Sequence, residues 1–280
     1  MTDTTFEPIS LQRLQRTFRP LSLLVSPVSN GLERVPKSGP VLFVGNHTIY
    51  GGLDLPMLGL EIYARTGRPT RGLADHFHYS IPGWRDLLAQ IGGVRGTREN
   101  CARLFEAGEQ VIVFPGGARE VNRRKGEAYQ LLWKERIGFV RLAIEHRVPI
   151  VPFASVGVEE MFEIVSDAED LLRSPAGQLL RSLGVTAQQW FRGGEIIPPL
   201  ARGRGPAGVP RLERQYFLVG PPIDTARFAG RHEDAEACLA LRDEVRATIE
   251  DQIEHLRVLQ ASDPDRYPIQ RLLRRLTVRR

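Results

Sequence analysis

The sequence predicts an α/β fold: a single domain whose largely parallel or mixed central sheet is covered by helices, preceded by an amphipathic N-terminal helix. Three observations point there. Four short apolar runs, residues 40–45 (PVLFVG), 108–117 (GEQVIVFPGG), 148–157 (VPIVPFASVG) and 214–223 (RQYFLVGPPI), are flanked by glycine and proline. Continuous apolarity marks strands buried on both faces, the habit of parallel sheets. Between the runs lie stretches with helical spacing, over 53–67, 98–107, 134–146 and 232–260. Finally, 280 residues with 42% hydrophobic composition can bury one sizeable core.

The elements follow in order. In residues 9–28, Leu11, Leu14, Phe18, Leu21 and Val25 form one stripe and Arg13, Arg16 and Arg19 lie opposite. Such a helix suits an interfacial membrane position or packs its stripe on its own domain; both readings stay open. Pro20 is expected to kink or end its first half. The organisation expected is an N-terminal helical segment (1–39), an α/β core (40–230) and a C-terminal helical segment packed on the core (231–280). Residues 192–213 (RGGEIIPPLARGRGPAGVPRLE) form a Gly/Pro/Arg-rich loop; loops that long are usually functional or mobile. From Arg266 onward come six arginines in fifteen residues, with Leu272, Leu273 and Leu276 among them. That tail reads as an anionic-surface contact or as a solvated helix end.

Composition narrows the partners. A formal charge of +5 favours phospholipid head groups, CoA phosphates or nucleic acid. No nucleic-acid reader motif accompanies the arginines, so nucleic acid is not expected. Cys101 and Cys238 are the two cysteines, which is no disulfide framework and fits a reducing compartment. The start of the chain carries Asp3 and Glu7 rather than a basic-then-apolar leader pattern, and no run approaches a membrane span. The expectation is a cytoplasmic protein held peripherally at the inner face of a membrane. Asp75, His76 and His78 lack a companion pair at metal-site spacing, so no metal is expected.

Two strand ends carry the polar motifs. VGNHTIYGGLD (44–54) places His47 just past a strand and Asp54 seven residues on, with Gly51 and Gly52 between. Open α/β sheets place their sites at the carboxyl ends of strands, although a lone histidine there is more often structural. FPGGARE (114–120) ends another strand. Gly116 and Gly117 would expose backbone N–H groups suited to an anion or oxyanion, and Arg119 offers a donor fork for phosphate or carboxylate; a tight turn with a surface arginine explains the same residues. VNRRKGE (121–127) would make the rim basic. GGVRGTREN (92–100) sets Arg95, Thr97 and Arg98 in a glycine turn, with Thr97 a plausible N-cap. Trp84, Trp133 and Trp190 read as core or interfacial residues.

Together, VGNHTIYGGLD, RGLADHFHYSIPGWRDLL, GGVRGTRENC, VIVFPGGAREVNRRKGE, YQLLWKERIGFVRLAIEH and VPIVPFASVG give a resemblance over residues 40–160. The chain resembles the glycerolipid acyltransferase superfamily, most closely the branch of phytyl ester synthases and diacylglycerol-acyltransferase-like proteins. The resemblance implies acyl transfer from a thioester, acyl-CoA or an acyl carrier protein, to a lipid hydroxyl, with no cofactor beyond that co-substrate. His47 would be the general base and Asp54 its orienting carboxylate. Arg95, Thr97, Gly116, Gly117 and Arg119 would bind substrate. No Gly-x-Ser-x-Gly elbow calls for an acyl-enzyme.

The sequence departs from the superfamily's usual pattern twice. Six residues, not four, separate His47 from Asp54. On a continuous helix that spacing is roughly 10 Å, so a working dyad needs a bend, for which Gly51-Gly52 offers a place. The phosphate-substrate enzymes have Glu-Gly where this chain has Gly116-Gly117. That change favours a neutral acceptor such as diacylglycerol or a long-chain alcohol, with Glu120 a candidate for the missing acid's structural work. The alternatives are a lysophospholipid acyltransferase, a thioesterase or hydrolase, and a non-catalytic lipid-binding protein.

Overall fold

We describe a computed structural model of the chain, covering residues 8–182, 192–204 and 209–277. Trp190 and residues 205–208 of the long loop lie outside the described residues, as do Asp3, Glu7 and the final residues 278–280.

The elements in chain order are α1 (Leu11–Val25), β1 (Val28–Asn30), β2 (Val41–Gly45), α2 (Leu55–Thr66), β3 (Thr70–Ala74), α3 (His76–Tyr79), α4 (Trp84–Gln90) and β4 (Gly93–Arg95). Then come α5 (Arg98–Glu106), β5 (Gln110–Val113), α6 (Ala118–Val121), α7 (Gly138–Glu145), β6 (Ile150–Val156) and β7 (Glu163–Ser166). The chain continues through α8 (Ala168–Arg173), α9 (Pro175–Ser182), β8 (Leu200–Arg202), β9 (Tyr216–Val219), α10 (Ala235–Ser262) and α11 (Pro268–Thr277).

Seven strands form one sheet in the order β1-β9-β6-β2-β5-β3-β4. Pairing is parallel except between β6 and β9, so β1 and β9 run against the other five. Side chains of β2 alternate between the two faces as the pleat dictates: Leu42 and Val44 join one core cluster, Val41 and Phe43 the other. The first cluster takes in residues of α5, α7 and α10, among them Cys101, Ala143, Leu241 and Val245. The second lies under α2 and α1, through Leu58, Ile62, Phe18 and Leu21. Both faces are therefore dry, which is why these strands read as unbroken apolar runs.

The four strands expected from apolar runs are all present. β3 and β4 carry glycine and polar residues and gave no such run. The segment expected to be helical over 1–39 also supplies β1, which pairs with β9 and so belongs to the main sheet. The α1 stripe packs on its own domain rather than facing outward, since Phe18 and Leu21 contact the second cluster and Val25 is buried. Pro20 does not end α1, which runs unbroken to Val25. Its missing N–H orphans only the carbonyl of exposed Arg16, which water can satisfy.

Candidate active site

β2 ends at Gly45 in the middle of the sheet, and the chain leaves it by borrowing side chains to continue the ladder. Asn46 donates from Nδ2 to the Ser155 carbonyl (2.9 Å) and accepts the Ser155 N–H (2.8 Å). His47 comes next. Its ring stacks on Phe114 from the end of β5, with centroids 3.9 Å apart and planes 14° apart. Its backbone is held at both polar groups: the N–H donates to Glu120 Oε2 (2.9 Å), and the carbonyl accepts from Arg123 Nη2 (2.6 Å).

Arg123 is fully buried and organises this region. It also donates to the Glu127 carbonyl (2.5 Å) and pairs with Glu159 Oε1 (3.1 Å). Glu159 in turn accepts the Ile49 N–H (3.2 Å). Glu120 bridges two strand-end loops, taking the His47 N–H on one oxygen and the Leu132 N–H (2.9 Å) on the other. Burial pushes both Glu120 and Glu159 up to about 7, against the pull of their N–H donors and Arg123. The same burial, helped by the Arg123 charge and by His78, pushes the His47 imidazole down to about 3. His47 is therefore neutral at pH 7.

Glycines make this clamp possible. Gly51 sits at φ +61°, and a side chain there would overlap the His47 ring. It forms the expected bend, its N–H returning to the Thr48 carbonyl (3.0 Å). A side chain on Gly116 would occupy the space that holds the Glu120 carboxyl. The carboxylate supplied four residues later thus fills the place that glycine at 116 vacates, which is the substitution the sequence raised.

The other expected residues fall out differently. Asp54 is buried, 2% exposed, and serves as N-cap of α2 by accepting the Leu55 N–H (2.9 Å). Burial raises its pKa, while the Thr48 and Ser155 hydroxyls beside it act the other way. Among the described residues no hydrogen bond joins it to His47, whose Nδ1 is shielded and unbonded. The bend brings Asp54 beside the 46–48 segment without closing a dyad. Arg119 is not an open donor fork: it pairs with Glu127 and donates to the Asn122 carbonyl (3.5 Å). The Gly117 N–H is taken by the Phe114 carbonyl (3.0 Å), and Arg136 ties down the Pro115 and Gly116 carbonyls (2.7 Å each). The Gly117 N–H is thus engaged within the turn rather than offered to an anion. Thr97 caps α5 by accepting the Asn100 N–H (3.1 Å), as its position predicted. Arg95 is exposed with its guanidinium 5.4 Å from the Tyr79 ring centroid. The expected basic rim is neutralised, since Arg124 pairs with Glu169 and Lys125 with Asp170 from α8.

Sequence reasoning read Arg123 only as part of a basic rim, although it is fully buried, and missed Arg136, Glu159 and Phe114. The first three are ordinary charged residues in sequence, and only their burial gives them a role. The long loop approaches the site, with Tyr50 Oη donating to the Pro199 carbonyl (2.8 Å) and Asn122 Nδ2 to the Glu195 carbonyl (2.9 Å). Nearby, Trp84 donates its indole N–H to His78 Nδ1 (3.0 Å), and Arg192 pairs with Asp75 (3.1 Å).

Comparison with known proteins places this geometry. The acyltransferase family pattern matches residues 27–156. Phytyl ester synthase 2 of Arabidopsis thaliana, described as chloroplastic, is 33% identical over 257 residues, 88% of this chain and 36% of that protein. The bovine "DGAT1/2-independent enzyme synthesizing storage lipids" is 34% identical over 133 residues, 48% of this chain and 39% of that enzyme. The chain thus spans little more than a third of the length of these relatives. The crystal structure of the 1-acyl-sn-glycerophosphate acyltransferase PlsC from Thermotoga maritima shares the fold, with a TM-score of 0.54 at 17% identity over 88% of this chain and 79% of that one. The matched span runs from β1 through β6 and contains His47, Phe114, Glu120 and Arg123, with Glu159 three residues beyond it, and on this evidence the chain belongs to the glycerolipid acyltransferase superfamily.

Proposed function

We propose that this chain is an O-acyltransferase that moves a fatty acyl group from an acyl thioester, acyl-CoA or an acyl carrier protein, to the hydroxyl of a neutral lipid such as diacylglycerol or a long-chain alcohol. The observation that carries the reading is a neutral imidazole at the carboxyl end of the central strand, its backbone fixed by buried charges. In this reading His47 takes the proton of the acceptor hydroxyl as its oxygen bonds to the thioester carbon. The tetrahedral intermediate then breaks its C–S bond, and the departing thiolate takes the proton back from the imidazolium. An imidazole that titrates near 3 protonates at a cost, so the reaction needs a carboxylate at Nδ1. Asp54, beside Thr48 and Ser155, is the carboxylate that the same loop supplies for that role.

The neutral acceptor is supported by Arg119, which Glu127 already engages and which is therefore not free to take a phosphate. The similar phytyl ester synthase and storage-lipid enzyme carry names pointing to neutral lipid products. The site needs a lipid surface to supply its acceptor, so the protein acts at a membrane. No helix among the described residues is long and apolar enough to cross one.

The test is free-thiol release from palmitoyl-CoA or a palmitoyl carrier protein, with vesicles containing diacylglycerol, lysophosphatidic acid, a long-chain alcohol or no acceptor. Release is expected only with a neutral lipid alcohol. Release without acceptor would make the protein a thioesterase. Asp54→Asn keeps the helix cap, so it is expected to fold normally and lose activity; full activity would remove Asp54 from the mechanism.

A further inference from the structure

The positive charge of this chain is not spread evenly. Residues 8–25 and 266–280 hold nine of the 38 basic residues and none of the 33 acidic ones. The fold brings α1 and α11 together. Arg271 of α11 donates from Nη2 to the Leu24 carbonyl at the end of α1 (2.6 Å), and from Nη1 to the carbonyls of Asp265 (3.0 Å) and Arg266 (3.2 Å). Arg274 reaches Asp265 Oδ2 (3.4 Å).

These contacts set α11 the unusual way round. A surface helix ordinarily buries its apolar stripe and shows its polar one. In α11 the arginines Arg271 and Arg274 attach the helix to the body. Ile269, Leu272, Leu273 and Leu276, one stripe at helical spacing, are 57–67% exposed. Leu23 and Leu24 of α1 are exposed beside them. Arg13, Arg16 and Arg19 line the exposed side of α1.

The strand register says which end of the molecule this is. Gly45 at the end of β2 lies opposite Phe153, and Val156 at the end of β6 lies opposite Tyr216, which is also the partner of Val28 at the start of β1. The end of α1 therefore lies at the same edge of the sheet as His47. Gln215 confirms the closeness, donating its N–H to the Val25 carbonyl (3.0 Å) and its amide to the Leu53 carbonyl (3.1 Å), one residue from Asp54. A groove of about 860 Å³ lined by Phe162, Arg204, Arg211, Tyr267 and Ile269 opens there. The Phe162 ring meets Tyr50 edge-on at 5.2 Å, three residues from His47.

We propose that α11, with the exposed end of α1, is a docking surface for an anionic lipid bilayer. The exposed leucines of α11 and α1 enter the interface, Arg13, Arg16 and Arg19 of α1 meet the head groups, and the bilayer is held against the edge of the sheet that carries His47. A second copy of this chain fits the surface poorly, because it would bring the exposed Arg13, Arg16 and Arg19 of two copies together. The proposal extends the lipid-acceptor reading above and names the surface by which that lipid would arrive.

The experiment is co-sedimentation of the full chain with phosphatidylcholine vesicles, with and without phosphatidylglycerol. Leu272→Glu/Leu276→Glu and Arg13→Gln/Arg16→Gln/Arg19→Gln are run beside the wild type. The altered side chains are exposed, so circular dichroism and melting are expected to match. Wild type is expected to bind the anionic vesicles, more weakly at high salt. The leucine variant is expected to bind at least about tenfold more weakly, the loss of two interfacial leucines. Equal binding by the leucine variant overturns the proposal. So does a wild-type dimer without vesicles that the leucine substitutions dissociate, since the stripe would then be a protein interface. Thioester consumption with a detergent-dispersed long-chain alcohol or diacylglycerol and no vesicles is measured in parallel. Leucine-dependent binding with no such consumption leaves the docking surface standing and removes acyl transfer instead.

Discussion

The loop after β2 and helix α11 stand at the same edge of the sheet and are built on opposite rules. Around His47 the chain buries charge: Arg123, Glu120 and Glu159 are nearly inaccessible, and their hydrogen bonds go mostly to backbone groups. On α11 the chain exposes hydrocarbon and uses its arginines to fasten the helix down. Buried ions cost several kcal/mol each to desolvate unless every lone pair is engaged. That cost is tolerated where the position of one imidazole must be fixed. Exposed leucines are tolerated where an apolar surface is to be met. On the proposed reading the first region serves chemistry and the second adhesion, so they are expected to fail independently.

Several measurements would break or sharpen that contrast. The largest effect is expected from His47→Ala, which should lower acyl transfer on the order of 10²–10⁴-fold, the worth of a positioned base. It should leave vesicle binding intact. Retained transfer would return His47 to a structural role. Arg123→Ala should destabilise the fold by about 3–5 kcal/mol in urea unfolding, because it strands Glu159 and frees the His47 carbonyl. A loss below about 1 kcal/mol would mean that water replaces it easily.

Glu120→Gln should cost about 1–3 kcal/mol, since one amide oxygen cannot serve both the His47 and Leu132 N–H groups. It has a pH signature as well. Glu120 is raised from 4.5 to about 7 in the fold. Between those values the folded chain holds a proton that the unfolded chain has lost. The contribution is thus complete below 4.5 and disappears as pH rises through 7. His47, lowered from 6.5 to about 3, acts in the opposite sense below 6.5, so the interval just above 6.5 isolates the carboxyls. There the fall in stability with pH should be shallower in Glu120→Gln than in wild type, with Glu159 retaining its share. An unchanged slope would show that Glu120 is ionised throughout.

Gly51→Ala places a methyl group in the left-handed region, at about 1–2 kcal/mol, and against the His47 ring. It should therefore lower activity more than stability. The smallest effect is expected at Lys125→Ala. Its partner Asp170 is about as exposed as Lys125 itself, so the urea midpoint should not move measurably.

By itself the sequence determined the layered α/β class, because unbroken apolar runs between helical stretches bury both sheet faces in few other ways. It also placed His47 at a strand end, Thr97 at a helix cap, and the bend at Gly51 that the long His47–Asp54 spacing demands. Short strands such as β3 and β4 were not legible, since glycine and arginine in them leave no periodic signal. The resemblance over residues 40–160 supplied the chemistry expected of these motifs. Tertiary structure decided which charges matter. Arg119, Arg123 and Arg124 lie within six residues of one another. One pairs with Glu127, one is buried beneath His47, and one pairs with Glu169. Their partners lie up to 76 positions away in the chain, and no local pattern encodes a contact at that separation. The α1 stripe packs inward while the α11 stripe faces out, although both show the same spacing in sequence. Periodicity reports that a helix has an apolar side. What that side meets is settled by the elements packed around it.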